Sequence, residues 1–242
     1  MDPIFLISLF VIAFLYASIG HGGASGYLAL MAMFGIETVL MKSSALTLNL
    51  FVAGIAFYSY YKGGFFNWKI LLPFVLASMP AAYFGAKLSV DPTFYKVSLG
   101  VCLLIAVSRM LIQVKNKSTQ ESKTPNFVIA MMVGAIVGFF SGMIGIGGGI
   151  ILSPLLIVFG WANLKEAAAV SAGFIWLNSV TGLLGTINSG VQLSPTIVPW
   201  IVVALIGGFL GSWSGSFKFS EISLRYLLAS VLFMASIKLF FI

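Results

Sequence analysis

The chain has 242 residues, of which 60% are hydrophobic and 8% are charged, and its mean hydropathy is +1.09. Soluble domains typically carry about 25% charged residues, so this composition excludes an ordinary soluble domain and indicates an integral membrane protein. The net charge of +7 comes from Lys and Arg residues at the ends of apolar runs, a pattern that favours lipid headgroups over nucleic acid as the partner.

Six apolar stretches approach the length of a membrane-spanning helix, which is roughly 20 residues. Their residues do not alternate between polar and apolar over about ten positions, as the strands of a membrane β-barrel do. We therefore predict an all-α, multi-pass membrane protein. The stretches are 4–19, 45–61, 70–88, 127–144, 167–187 and 196–215.

A glycine-rich string ends the first apolar stretch and recurs 125 residues later. The first copy reads I-G-H-G-G-A over 19–24, and the second reads I-G-I-G-G-G over 144–149. Clustered glycines let the backbone turn sharply and approach a ligand or a neighbouring helix. Each copy precedes a short apolar segment, 26–35 or 150–160, which as a helix is about 15 Å long and covers only half a bilayer.

The duplication extends past the glycine strings, since identical residues recur at spacings of 125 to 129. The only sustained polar stretch reads as a connecting loop. We divide the chain into a first transmembrane repeat, 1–113, a cytoplasmic linker, 114–125, and a second transmembrane repeat, 126–242. Each repeat is expected to contain a glycine-loop helical hairpin with a short half-helix, followed by three longer helices, or about 8 to 10 membrane segments in all.

The basic residues indicate how the two repeats are oriented. Cytoplasmic loops carry an excess of Lys and Arg. An inverted second repeat places nine of these residues inside and four outside, whereas a parallel repeat divides them seven to six. We therefore predict two inverted-topology repeats. The inside set is Lys62, Lys69, Arg109, Lys115, Lys117, Lys123, Lys165, Lys218 and Arg225, and the outside set is Lys42, Lys87, Lys96 and Lys238.

Inverted repeats bring the starts of the two half-helices together near the membrane midplane. A helix N-terminus carries partial positive charge and free backbone N–H groups, so two facing ends make a small electropositive site for an anion. The alternative is that the glycines only allow close helix packing. The predicted substrate-binding residues of the loops are Gly20, His21, Gly22, Gly23, Ser25, Gly145, Gly147, Gly148 and Gly149.

Three polar residues in the helices complete the predicted binding site. Asn49 and Asn178 lie mid-helix in the second long element of each repeat, and Ser171 precedes Asn178 by two turns. Amide and hydroxyl donors suit an oxyanion or a sulfonate and avoid the desolvation cost of a buried charge. The alternative for these residues is hydrogen bonding between helices.

The segment 140–154 reads F-S-G-M-I-G-I-G-G-G-I-I-L-S-P and precedes the helix that carries Ser171 and Asn178. This pattern resembles the second-repeat signature of the TauE/SafE family of membrane permeases, also called the sulfite exporter family, over essentially the whole chain. The resemblance implies movement of sulfur-containing or related small organic anions, such as sulfite, sulfonates or sulfoacetate, across the bacterial cytoplasmic membrane. The family's glycine motif corresponds to Gly145, Gly147, Gly148, Gly149 and Pro154, and in the first half to Gly20, Gly22 and Gly23.

The first copy of the motif departs from the second, because Ala24 stands at the position of Gly149 and His21 at that of Ile146. His21 is the only histidine and the only readily titratable side chain in the predicted membrane interior. An imidazole titrates at a pH of about 6.5 in water, so we expect His21 to donate to an anion or to carry a coupling proton. The alternative is a neutral imidazole bonded to loop carbonyls.

These observations predict a secondary transporter of a small anion, with alternating access around the two loops and with a passive anion channel as the alternative. One His and six carboxylates assemble no catalytic or metal-binding constellation, so we expect no enzyme, metal or cofactor. The expected partners are the anionic substrate, coupled protons and the lipid bilayer, without nucleic acid, in a monomer or homodimer. The sequence leaves open the exact substrate, the direction of transport, and whether the short segments are re-entrant.

Overall fold

The computed structural model describes residues 2–88 and 124–215, together with isolated positions between 91 and 108 and at 233, 236 and 237. The last long helix predicted for each repeat, most of the linker 114–125 and eight of the thirteen basic residues used for the orientation argument lie outside the described residues.

The described part of the chain is all-helical. Five of its helices, here called α3, α4, α5, α7 and α8, are long and apolar enough to cross a membrane. The predicted all-α, multi-pass membrane fold is therefore confirmed. In chain order the helices are α1 (Pro3–Ser18), α2 (Ala24–Met33), α3 (Thr38–Lys62), α4 (Trp68–Lys87), α5 (Phe127–Ile144), α6 (Gly149–Val158), α7 (Leu164–Asn188) and α8 (Ile197–Gly215).

Three of the long helices begin at asparagine caps, whereas the two short helices begin at glycine. Asn67 caps α4 and Asn126 caps α5 through side-chain oxygens that accept backbone N–H bonds. Asn163 caps α7 and forms a capping box with Glu166. Neither α2 nor α6 has a side-chain cap from its own N-cap residue, so the first N–H groups of both short helices need partners from elsewhere in the fold.

Helices α1 and α2 form a hairpin. At its tip the Tyr16 and Ser25 hydroxyl oxygens are 2.7 Å apart. At its base the rings of Phe5 and Phe34 lie 5.3 Å apart, centroid to centroid. The end of α2 therefore returns to the level at which α1 begins.

The two halves of the chain make corresponding contacts between their helices. The correspondence appears when α1 is matched with α5, α2 with α6, α3 with α7 and α4 with α8. The α1–α8 contact corresponds to α5–α4, α3–α8 to α7–α4, and α2–α3 to α6–α7. At the centre α3 packs against its own counterpart, α7. These two helices run antiparallel, because Leu46 early in α3 lies against Gly182 late in α7, and Phe57 late in α3 lies against Gly173.

The outer helix pairs are parallel and pack closely through glycine. Gly134 of α5 faces the backbone of Phe74 on α4, and two turns later Gly142 faces the backbone of Ala82. Helices α1 and α8 pack in the same way. Small residues at such spacing let membrane helices approach backbone to backbone, so close packing does explain these helical glycines. The loop glycines have different neighbours.

Candidate functional site

The two glycine loops have the same backbone conformation where their half-helices begin. Gly23 (φ 95°) is the N-cap of α2 and Gly148 (φ 77°) is the N-cap of α6, both in the left-handed region that disfavours residues with a Cβ. The glycines of both loops are buried. Each half-helix consequently points its N-terminus into the interior of the protein.

Both loops contact the same two side chains, Asn49 of α3 and Ile175 of α7. A Cβ on Gly22 would lie 2.6 Å from Asn49 Oδ1 and 3.0 Å from Ile175 Cγ2. A Cβ on Gly147 would lie 2.7 Å from Asn49 Nδ2 and 2.8 Å from Ile175 Cγ2. Glycine is required at both positions because any larger residue would displace these side chains. We call the contact of Gly22, Gly147, Asn49 and Ile175 the loop junction.

Asn49 supplies the cap that the half-helix α2 lacks. Its Oδ1 accepts a hydrogen bond of 3.0 Å from the backbone N–H of Ala24. Its Nδ2 is buried beside Gly147 and has no hydrogen-bond partner. A buried, unpaired donor is costly, so in a native site it points to a ligand or a functional strain. Asn49 thus offers an N–H donor to whatever enters the loop junction.

Asn178 occupies a different position. Its Nδ2 donates to Phe174 O within α7 at 2.9 Å, and its Oδ1 is buried without a partner. The residue of α7 that matches Asn49 is Ile175, because each contacts both loops. Ala53, which contacts Gly22, and Ser179, which contacts Gly147, show the same offset of 126 residues. The loop junction therefore carries an amide on one side and an alkyl group on the other.

Further unpaired polar atoms surround the loops. Tyr27 OH faces Gly23, and Ser179 Oγ faces Gly147, each within 3.3 Å of where a Cβ would lie. Both oxygens are buried and lack a hydrogen-bond partner, as do Ser141 Oγ and Ser171 Oγ. Tyr27 and Ser179 were not among the predicted site residues. Their positions in the sequence could have indicated both residues, since Tyr27 follows the first glycine string and Ser179 adjoins Asn178.

Ser25 and Gly20 face away from the loop junction. Ser25 pairs with Tyr16 on α1, as described above. A Cβ on Gly20 would meet Ala168 of α7 at 2.8 Å and the ring of Tyr60 of α3 at 2.9 Å. The structure therefore brings Gly22, Gly147 and Asn49 of the predicted set into one contact, with Gly23, Gly148, Gly149 and Ser171 around it.

His21 joins the first loop to the opposite half-helix. Its Nδ1 lies 3.0 Å from Ile19 O and its Nε2 lies 3.0 Å from Ser153 Oγ on α6. Because a carbonyl only accepts, Nδ1 carries the proton, and in the neutral ring Nε2 accepts from the Ser153 hydroxyl. The imidazole is partly buried and turns away from the loop junction.

His21 lines a pocket at the start of α7, which we call the His21 pocket. Lys165, on the first turn of α7, provides a cation there and also lies 4.6 Å from the centroid of the Phe65 ring. The neighbouring Glu166 carboxylate accepts the Asn163 N–H at 3.0 Å in the capping box. A cation at a helix N-terminus favours anions in this pocket. Its lining includes Ile19, Tyr60, Ser153, Ile157, Ala167 and Ala168.

Within the described residues, no group of three or more His, Cys, Asp or Glu side chains is placed to hold a metal ion. The polar atoms at the loops are backbone N–H, amide and hydroxyl groups, which bind anions and small polar molecules.

The fold and these loops define a multi-pass helical membrane protein with a polar site between two half-helices. A model of the family described as sulfite exporter TauE/SafE matches residues 4–239. The chain belongs to this family of membrane transporters.

Curated relatives cover nearly the whole chain. A probable membrane transporter protein of Sinorhizobium fredii, y4hK, is 35% identical over 237 residues, which is 96% of each chain. One from Methanocaldococcus jannaschii, MJ0441, is 28% identical and spans 95% of this chain and 92% of its own. YdhB of Bacillus subtilis is 24% identical over 95% of this chain and 94% of its own. No solved structure gives a significant match.

Proposed function

We propose that the protein is a secondary transporter of a small anion, and that the anion binds at the loop junction. The observation that carries the proposal is Asn49, which contacts both loops and leaves its Nδ2 donor buried and unpaired. The hydroxyl groups of Ser179 and Tyr27 lie next to the same loops and are also unpaired. An anion that accepts hydrogen bonds at this point would satisfy these donors.

The proposed substrate is a small sulfur oxyanion, such as sulfite or a sulfonate. The description of the family as sulfite exporters supports this class. Neutral donors and half-helix N-termini also suit it, since they stabilise a compact charge without a buried cation at the junction. Movement takes place across the bacterial cytoplasmic membrane, with protons as the proposed coupling ion.

Alternating access between two inverted repeats, 1–113 and 126–242, is the proposed mechanism. The antiparallel contact of α3 with its counterpart α7 supports it, as does the correspondence of helix contacts between the halves. The His21 pocket lies at the end of the molecule that carries Lys62, Lys69 and Lys165, which is the cytoplasmic end in the orientation that the basic residues favour.

Uptake of radiolabelled sulfite into proteoliposomes tests the proposal. A carrier gives saturable uptake and counterflow, in which unlabelled internal anion accelerates entry of the label. Ohmic single-channel current in a planar bilayer without counterflow would assign the protein to the alternative class of passive anion channels. Absence of flux for sulfite, sulfoacetate and taurine would refute the proposed substrate class.

Asn49→Asp tests the observation on which the proposal rests, the buried and unpaired Nδ2 donor of Asn49. Aspartate keeps an acceptor for the Ala24 N–H but replaces the unpaired N–H donor with a negatively charged oxygen. We expect the half-saturation concentration to rise at least about tenfold, the equivalent of one lost hydrogen bond to a charged group. Asn188→Asp, at the exposed end of α7, is the matched control. Wild-type kinetics in Asn49→Asp would exclude a direct contact between this amide and the anion.

A further inference from the structure

Lys42 is a buried cation outside the site described so far. It lies on the second turn of α3 and is only 8% exposed. Its Nζ donates to Ala86 O at 2.7 Å, in the last turn of α4. No carboxylate among residues 2–88 and 124–215 pairs with it. One backbone carbonyl engages one of the three N–H donors of an ammonium group, so the charge is incompletely satisfied.

Lys42 packs on the second glycine loop. A Cβ on Gly145 would lie 3.2 Å from Lys42 Cγ and 3.3 Å from its Cα. In the other half, the matching glycine, Gly20, meets Ala168. Lys42 and Ala168 are 126 residues apart, the offset that also relates Asn49 to Ile175. Lys42 is therefore the counterpart of a residue that lines the His21 pocket.

The region around Lys42 is the closed counterpart of the His21 pocket. The same exchange of halves relates His21, Ser153 and Tyr60 of the pocket to Ile146, Leu28 and Thr186. These three counterparts are 4%, 0% and 2% exposed, so packed side chains fill that part of the region, whereas Val39, the counterpart of Lys165, is exposed. One end of the molecule thus has a pocket with a lysine, Lys165, while the other end is packed shut over a lysine, Lys42.

We propose that Lys42 is the anion-binding cation of a second mouth, which opens onto the loop junction from the end opposite the His21 pocket. The inference rests on the proposed anion transport. When this mouth opens, the Lys42 ammonium exchanges the Ala86 carbonyl for the substrate anion. When it closes, the ammonium again donates to the Ala86 carbonyl, so the cation has a partner in both states. A lysine on the first two turns of α3 or α7 then serves each mouth.

Sided transport kinetics test this role. Lys42→Met keeps an unbranched side chain, one atom shorter, but removes its charge, and Lys87→Met, which replaces an exposed lysine at the same end, is the matched control. In proteoliposomes of known orientation, we expect Lys42→Met to raise the half-saturation concentration for sulfite at least about tenfold on the Lys42 side. On the His21 side it should change by less than about threefold. Equal changes in the half-saturation concentration on both sides would mean that Lys42 only caps the end of α4, and would overturn the proposal.

Thiol labelling gives an independent measurement if the Met variant does not fold. The chain has a single cysteine, Cys102, so Lys42→Cys in a Cys102→Ala background carries one thiol. We expect a membrane-impermeant anionic methanethiosulfonate to modify Cys at position 42 from one side only, and saturating sulfoacetate, a sulfonate that does not consume the reagent, to slow the modification. No modification from either side, in a variant that still transports sulfite, would overturn the proposal while leaving anion transport standing. If the wild-type protein moves no anion, the proposed function itself fails.

Discussion

Asn49 Oδ1 accepts the backbone N–H of Ala24 at 3.0 Å, so a side chain of α3 caps the half-helix α2. The same amide contacts Gly147 of the other loop through Nδ2. Movement of α3 relative to either half-helix must therefore break or re-form a contact at the loop junction. This links the conformation of the central helices to the availability of the anion-binding donors.

Gly22→Ala should disrupt the contact between the first glycine loop and Asn49 at the loop junction. The new Cβ would lie 2.6 Å from Asn49 Oδ1 and 3.0 Å from Ala53 Cβ, so the loop or Asn49 must shift. We expect sulfite transport to fall at least about tenfold and the free energy of unfolding to fall by about 1–3 kcal/mol. Uptake and thermal unfolding in detergent measure the two effects.

Gly182→Ala is the control for this substitution. Its Cβ would meet the Leu46 methyl groups at 3.4 and 3.5 Å, an ordinary contact, and alanine is the better helix former by about 1 kcal/mol. Transport and thermal stability should match or exceed those of the wild type. Equal losses in the two variants would mean that the loop has no special sensitivity.

Ile175→Ala should enlarge the loop junction and relax selectivity. Ile175 is 3% exposed and lies against both loops, so truncation leaves space beside the Asn49 amide. We expect the rate for sulfoacetate relative to sulfite to rise by about tenfold, with a stability cost of about 2–5 kcal/mol. Ile70→Ala is the control, because Ile70 is 1% exposed and belongs to a core cluster that also contains Phe74. This substitution should cost similar stability without changing selectivity.

Local pattern in the sequence predicts much of this architecture. Apolar length marks the long helices, and the glycine strings mark the half-helices, because both depend on neighbouring residues. The match of Asn49 with Ile175 depends instead on contacts between residues that are far apart in the sequence. Residue identities late in the two repeats suggest a spacing of 129, which would match Asn49 with Asn178, whereas the contacts of α3 and α7 follow a spacing of 126.

Long-range contacts also decide where the charged and titratable side chains lie. His21 turns out of the loop junction because its partner Ser153 stands 132 residues later on α6. Lys42 was assigned by sequence to the outer end of the molecule, but its burial depends on Ala86 at the end of α4 and on Gly145 after α5. No pattern within α3 distinguishes it from an exposed lysine at a helix end.

His21→Gln should remove the pH dependence of transport. Protonation of His21 turns Nε2 from an acceptor of the Ser153 hydroxyl into a donor and adds a positive charge beside Lys165 in the pocket. The wild-type rate at a low concentration of sulfoacetate, whose own charge does not change between pH 8 and 6, should therefore rise as the pH falls, and in His21→Gln it should stay flat. If His21 carries the coupling proton, substrate-driven pH changes in the vesicle lumen disappear as well. A sulfite-driven pH change of wild-type size in the variant would exclude proton coupling through this residue.

Lys165→Met should weaken entry of the anion from the His21 pocket and reduce its dependence on salt. Lys165 is exposed at the pocket and adds its charge to that of the α7 N-terminus, so it acts on the approach of the anion more than on its final binding. We expect the half-saturation concentration on this side to rise by about three- to tenfold at low ionic strength, and the difference from wild type to shrink at high ionic strength as the charge is screened. Lys69→Met removes an exposed lysine at the same end without touching the pocket lining, and its kinetics should match the wild type. A Lys165→Met variant indistinguishable from Lys69→Met at low salt would show that the pocket does not lie on the path of the anion.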